Sequence, residues 1–291
     1  MLITIVTPTY NRADKLPNLY NSLCNQTKKD FIWLIIDDGS TDDSKKVIST
    51  FSDNEFPIKY IFKDNGGKHT ALNYAFREVT TELLFIVDSD DIITQDAIET
   101  IEKDWESVKK NNICGISYLR GYSETEVIGD KHPVNYAIDT LINVRFNQNV
   151  TGDKAEVWKT NCLKNLRFPE HEGEKFVSES ILWIKLAKKH MMLFVNKIIY
   201  ITEYLEGGLS DTGKPLRFRS PKCMIDGSLE TMSEHFNWKW RIKETLLYIV
   251  YSKFDGRGFK EMIRCPYKSL VTFCYLPGIV LFHYWKKKYQ L

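Results

Sequence analysis

The sequence predicts an α/β fold, a mostly parallel sheet flanked by helices, with a helical appendage at its C-terminal end. Three observations carry that expectation. Over the first ~120 residues, short apolar runs alternate with segments whose apolar residues recur at helical spacing, the rhythm of βαβ units. Each of the first four runs ends in a cluster of Asp, Asn, Gly, Thr or Lys. A hydrophobic content of 43% and a charged content of 27% over 291 residues suit an ordinary globular core and argue against disorder.

Taken in order, Leu2–Val6 reads as a first strand, and Lys15–Gln26 as a helix because Leu16, Leu19, Tyr20 and Leu23 fall on one face. Phe31–Ile36 is a second strand. Asp42–Phe51 follows as a helix opened by Ser, Thr and Asp, residues suited to capping. Ile58–Phe62 is a third strand, with a helix from about His69 to Val79; Leu83–Val87 is a fourth, with an amphipathic helix over Thr94–Lys110; Ile113–Tyr118 is a fifth. Beyond Tyr118 the rhythm loosens. Ser178–Lys189 still reads as a helix, Met192–Tyr200 as a strand, and Gly207–Gly213 as a mobile loop. The expected organisation is a nucleotide-sugar-binding half over 1–120, an acceptor-binding half of the same domain over 121–235, and a basic, aromatic, helical tail over 236–291.

The six cysteines form no CxxC pair and no Cys/His cluster, so neither a zinc site nor a disulfide framework is expected. Met1–Val6 lacks a basic flank and runs into polar Thr7, which reads as a buried strand rather than a signal peptide. A cytoplasmic location is the expectation. The net charge of +2 conceals an asymmetry: Phe236–Leu291 holds 11 Lys/Arg against 3 Asp/Glu, and 14 of its 56 residues are aromatic. Ser269–Trp285 is mostly apolar and ends at Lys286-Lys287-Lys288, but it is short for a spanning helix and interrupted by Pro277-Gly278. Two readings stand, peripheral contact with anionic lipid at the inner face of the membrane or a helical appendage with solvated lysines. Nucleic acid is not the expected partner, because the polar edge is acidic.

In open α/β sheets, ligands bind at the carboxyl ends of the strands. Four clusters fall there: Thr7-Pro8-Thr9-Tyr10-Asn11-Arg12, Asp37-Asp38-Gly39-Ser40, Asp64-Asn65-Gly66-Gly67-Lys68 and Asp88-Ser89-Asp90-Asp91. Three carboxylates within four residues repel one another unless cations or hydrogen-bond donors neutralise them. Mg²⁺ or Mn²⁺, held by one or two carboxylates plus phosphate oxygens, is the usual solution; an Asp-rich turn capping the next helix is the alternative. Asp38 is placed to accept from a nucleobase or ribose, or to serve an Asp-Gly turn. Gly66, Gly67 and Lys68 resemble a phosphate cradle, with Asn73 one turn on and His69 adjacent. They match neither a Walker A nor a GxGxxG pattern.

In order, spacing and strand context, these clusters resemble the family 2 glycosyltransferases of the GT-A fold over about the first 115 residues. The resemblance implies a GT-A-type, Rossmann-like domain that inverts configuration as it transfers a sugar from a nucleoside diphosphate donor, commonly a UDP-sugar. It implies that the Pro8-Thr9-Tyr10 segment and Asp38 hold the nucleoside, and that the acids of Asp88-Ser89-Asp90 serve the ribose and a metal that bridges to the diphosphate, with Asp88 and Asp90 as its ligands; Arg12, Gly67, Lys68, Asn73 and Ser89 complete the residues expected to bind the donor.

The acceptor, a glycan or lipid-linked glycan in polysaccharide biosynthesis, needs a base to take its hydroxyl proton. The resemblance places that base at Glu179, in Phe176-Val177-Ser178-Glu179-Ser180, where Ser180 replaces the acid some members carry. Glu172 and Glu174 are rivals, and a helix-start acid after a Ser178 cap is the plain alternative. The Gly207–Gly213 loop is expected to close over the donor. Two other functions remain open: a sugar nucleotidyltransferase, which normally carries a Gly-rich basic loop that Thr7–Arg12 lacks, and an inactive sugar-nucleotide binding module.

Overall fold

The structure, a computed structural model, describes residues 1–202 and 213–290. The Gly207–Gly213 loop therefore falls almost wholly outside the described residues. The chain divides into two compact units. One comprises Met1–Thr140, Asn149–Arg167 and the segment from Lys189 through the last strand. The other comprises Leu141–Gln148, Phe168–Lys188 and the C-terminal helices.

The first unit is built on a nine-stranded sheet. Its strands are β1 (Ile3–Thr9), β2 (Phe31–Asp37), β3 (Ile58–Phe62), β4 (Leu83–Ile86), β5 (Ile92–Ile93), β6 (Ile113–Gly121), β7 (Ala137–Asp139), β8 (Lys154–Lys159) and β9 (Met191–Ile201). The order is β3-β2-β1-β4-β8-β6-β9-β5, with β7 also on β9. β3, β2, β1 and β4 are mutually parallel, so their C-terminal ends lie along one edge. Beyond β4, β8 is antiparallel to both β4 and β6, whereas β6 and β9 run parallel.

Both faces of β1 are buried, as a central parallel strand requires. Ile3 and Ile5 join a core with Leu16, Leu19 and Leu23 of α1 (Leu16–Cys24) and with Ile98, Ile101 and Trp105 of α4 (Ala97–Val108). α3 (Lys68–Glu78) contacts β1 and β2, burying Ala71, Leu72, Ala75 and Phe76. α2 is shorter than its capping cluster suggested, Ser44–Ile48, and α5 (Thr160–Leu163) follows β8 directly.

The expected strands and helices are present, with informative differences at their ends. β1 continues through Pro8 to Thr9. Pro8 breaks no ladder on the β4 side, because it lies beyond the last β1–β4 pair, Val6 with Ile86. β8 escaped the sequence reading. Lys154 hides its alternation: the residue is buried, and its ammonium donates to the carbonyls of Thr151 and Gly152.

The second unit is helical and contains α6 (Ser180–Ala187), α7 (Gly213–Phe218), α8 (Pro221–Thr231), α9 (Trp238–Phe254), α10 (Phe259–Met262) and α11 (Lys268–Lys288), with a π-helical turn over Ile142–Asn147. Cys223, Ile225, Tyr248, Ile249, Met262, Val271 and Cys274 form its core. Pro277 does not break the chain as the sequence suggested; it sits inside α11, which runs on for three turns. The C-terminal helical appendage is therefore a packed part of this unit.

β6 and β8 approach closely at Gly115, where an added Cβ would lie 2.1 Å from the Val157 carbonyl oxygen. Gly115→Ala is expected to lower stability by about 1–3 kcal/mol in urea denaturation. An unchanged midpoint would contradict this strand pairing.

Candidate functional site

The four clusters are linked to one another by side-chain contacts in a closed ring. The first and second are joined by hydrogen bonds: Asn11 N–H donates to Ser40 Oγ at 2.9 Å, Thr41 N–H to Asn11 Oδ1 at 2.8 Å, and Ala13 N–H to Asp42 Oδ2 at 3.1 Å. Arg12 N–H donates to Ser44 Oγ. Asn11 adopts a left-handed φ of 52°, a conformation that Asn tolerates better than most residues. The Ser/Thr/Asp run after Asp38 thus holds the Tyr10–Arg12 loop more than it caps a helix.

The second and third clusters meet at Asp38. Its carboxylate accepts from Gly66 N–H at 3.0 Å, Gly67 N–H at 2.7 Å, Asn65 Nδ2 at 3.2 Å and the Lys63 ammonium. Those donors account for the roughly four lone-pair positions a carboxylate offers. Asp38 is buried. The backbone N–H groups that the sequence reading assigned to phosphate are therefore turned onto Asp38 in this structure, and Asp38 shapes the loop. Gly39 allows the approach: its φ is +83°, and a Cβ there would meet Asn65 N at 2.7 Å. Asp37 is also engaged, accepting from Ser40 N–H and from the Tyr60 hydroxyl.

The third cluster joins the fourth through the Lys68–Asp88 ion pair. Arg12 closes the ring by approaching Asp90 at 3.8 Å. The remaining acid, Asp91, is buried, accepts from the Tyr200 hydroxyl at 2.7 Å and lies 3.7 Å from Arg120. That hydroxyl also accepts from Asp88 N–H at 2.9 Å, so one side chain spans both ends of the acidic turn. Arg120 and Tyr200 are register partners across β6 and β9, with the guanidinium 3.9 Å from the ring centroid. Neither was singled out from sequence. The available signal was an arginine ending the otherwise uncharged strand Ile113–Gly121.

The charges set the protonation of the turn. Burial pushes the Asp88 carboxyl up, but Lys68, Arg120 and Arg12 outweigh it and hold the group below the usual carboxylate range. Asp91 goes the other way. Burial and then Asp88 push it up to about 7, against the Tyr200 hydrogen bond and Arg120.

Asp88 and Asp90 are partly exposed, two residues apart at a strand end. Among the described residues, no group of three or more His, Cys, Asp or Glu side chains is arranged to hold a metal alone. Two carboxylates nonetheless fit a hard cation whose other ligands are phosphate oxygens and water. Pro8 and Thr9 are buried at the end of β1, Ser89 is buried in the acidic turn and Asn73 is buried in α3; Thr9 Oγ1 has no hydrogen-bond partner among the described residues. Tyr10 is exposed.

Glu179 belongs to the second unit and occupies the N-cap position of α6 without a side-chain cap hydrogen bond. Ser178 Oγ contacts Ser180 Oγ instead of capping. Of its rivals, Glu174 is already engaged: it is buried and accepts from the N–H groups of Lys222 and Cys223, capping α8. Glu172 is exposed.

The model of glycosyl transferase family 2 matches residues 4–162. A β-1,3-glucosyltransferase of Campylobacter jejuni, named as acting on GalNAc(5)-diNAcBac-PP-undecaprenol, is 24% identical over 96% of this chain and 91% of its own. Glycosyltransferase GlyA of Streptococcus pneumoniae is 27% identical over 72% of this chain, which spans only 31% of that relative's length. Among solved structures, TarS of S. aureus in complex with UDP-GlcNAc superposes with a TM-score of 0.63 at 18% identity, covering 87% of this chain and 72% of that one. A mannosyltransferase of Pyrobaculum calidifontis in complex with GDP-Man and Mn²⁺ gives 0.60 at 15% identity, covering 98% and 83%. These structures share the GT-A fold seen here.

Asp38→Asn separates a loop-shaping acid from one that only touches ligand. Losing the charged acceptor for Lys63 and two backbone N–H groups is expected to cost about 2–3 kcal/mol in urea denaturation of the free protein. A stability equal to the parent's would assign Asp38 to ligand contact alone.

Proposed function

The chain belongs to glycosyl transferase family 2, and from that premise we propose that it moves a sugar from a nucleoside diphosphate sugar, with UDP as the expected nucleotide, onto an acceptor hydroxyl in polysaccharide assembly. The observation that supports this reading best is the closed ring of contacts along the C-terminal edge of β3, β2, β1 and β4. It gathers cations and carboxylates where open α/β sheets bind ligands.

In this reading Lys68 and Arg12 are the groups that meet the donor's diphosphate. In the free protein they pair with Asp88 and Asp90; phosphate oxygens offer them an alternative partner and release those carboxylates. Mn²⁺ or Mg²⁺ on Asp88 and Asp90 would neutralise charge that develops on the departing diphosphate. Thr9 and Tyr10 serve the nucleoside face, with Asp38 holding the 64–67 loop beside it. Glu179 takes the proton from the acceptor hydroxyl, a step worth about 10²–10⁴ in rate. Direct attack by that hydroxyl on the anomeric carbon, opposite the diphosphate, inverts configuration.

The relative that matches this chain nearly end to end is named for a lipid-linked oligosaccharide acceptor. That name supports a glycan on a polyprenyl diphosphate as the acceptor class here. The sugar moved is a hexose or an N-acetylhexosamine.

Thermal unfolding with a panel of nucleoside diphosphate sugars, with and without Mn²⁺, tests the donor assignment. One donor–metal pair is expected to raise the midpoint well above either component alone; a flat response to every pair would contradict it. Glu179→Gln is expected to retain that stabilisation while losing transfer by about 10²–10⁴. Transfer at the parental rate would remove Glu179 from the base role.

A further inference from the structure

α11 presents two unlike faces. Its inner face is buried against α9: Val271, Cys274 and Gly278 are covered, and a Cβ on Gly278 would come within 2.7 Å of the Ile249 side chain. On the outer face Phe273, Leu276, Val280 and Tyr284 are 76%, 74%, 69% and 56% exposed. Their spacing of three, four and four residues aligns them in one stripe about 16 Å long. No other helix among the described residues exposes more than one large apolar side chain.

The stripe is not explained by a loosely held helix, because the opposite face of α11 is fixed by close contact with α9. It ends at Lys286, Lys287 and Lys288, all exposed, and the 21 residues of α11 include no Asp or Glu. We propose that this face is an interfacial docking surface for an anionic lipid bilayer. Phe273, Leu276, Val280 and Tyr284 enter the boundary between headgroups and acyl chains, and the three lysines sit among the phosphates. No helix among the described residues is long and apolar enough to cross a membrane, so the contact is with the surface. A second copy of the chain is a poorer occupant: α11 carries Lys268 at one end and Lys286–Lys288 at the other with no acid between, so pairing in either direction sets lysine near lysine. The surface is a property of α11 alone. The transferase reading only gives it a use, by placing the enzyme where a lipid-linked acceptor resides.

Sedimentation of the full chain with phosphatidylcholine vesicles, with and without one-quarter phosphatidylglycerol, tests the proposal. The protein is expected to bind the anionic vesicles and to bind neutral ones weakly. Replacing Lys286, Lys287 and Lys288 together with Gln should weaken anionic-vesicle binding by roughly 100-fold. The double variant Leu276→Glu, Val280→Glu should lose it by at least roughly tenfold while keeping the parental unfolding midpoint and donor response, because both positions face outward. Failure of the parent to sediment with anionic vesicles would overturn the proposal, as would undiminished binding by the double variant. If that variant instead converts a dimer to a monomer on a sizing column with vesicle binding unchanged, the face is a self-association surface and the proposal falls. Neither result bears on transfer, which is read separately.

Discussion

Repulsion within the acidic turn is the constraint around which the first unit is arranged. Asp88, Asp90 and Asp91 crowd one strand end, and two unit charges 4 Å apart interact by about 4 kcal/mol at an effective dielectric near 20. A domain stable by about 5–15 kcal/mol does not tolerate several such terms uncompensated. The compensation is mostly cationic: Lys68 for Asp88, Arg12 for Asp90 and, for an Asp91 pushed up to about 7 and so in part protonated, Arg120. Each comes from a different element, α3, the loop after β1 and β6, so the sheet order that brings these elements together is also what makes the turn affordable.

The same arrangement explains the hydrogen bonds around it. Lys68 reaches Asp88 only if the 64–67 loop is held, and Asp38 holds it through the N–H groups of Gly66 and Gly67. Arg12 is placed by a loop that Ser40, Thr41, Asp42 and Ser44 pin from the second cluster. Tyr200 fixes the turn itself, accepting at one end and donating at the other. The motifs of a glycosyltransferase of this family are thus, in the free chain, largely bonded to each other. Two of those contacts are ion pairs, Lys68 with Asp88 and Arg12 with Asp90.

What could be read from the sequence follows the range of the interactions. Alternating apolar runs and local turn chemistry revealed β1 to β4, β6, β9 and the helices between them, because those signals lie within about ten residues. The four clusters were visible for the same reason. The contacts among them were not: the sequence places Asp38 on a nucleobase or ribose or in an Asp-Gly turn, since nothing local shows that Gly66 and Gly67 donate to it. Arg120 and Tyr200 lie eighty positions apart and meet only through the β6–β9 register. β8 was hidden by a buried lysine, and the unbroken length of α11 by a proline that a packed helix accommodates.

In the proposed function, a diphosphate and a divalent cation together replace the internal partners of Asp88 and Asp90. Titration of Mn²⁺ followed by electron paramagnetic resonance, alone and with UDP, GDP or dTDP, measures it directly. Weak binding of Mn²⁺ alone is expected, binding at least about tenfold tighter with one of the three nucleotides, and loss of that gain in Asp90→Asn. Equal affinity with and without every nucleotide, or an undiminished gain in Asp90→Asn, would contradict it.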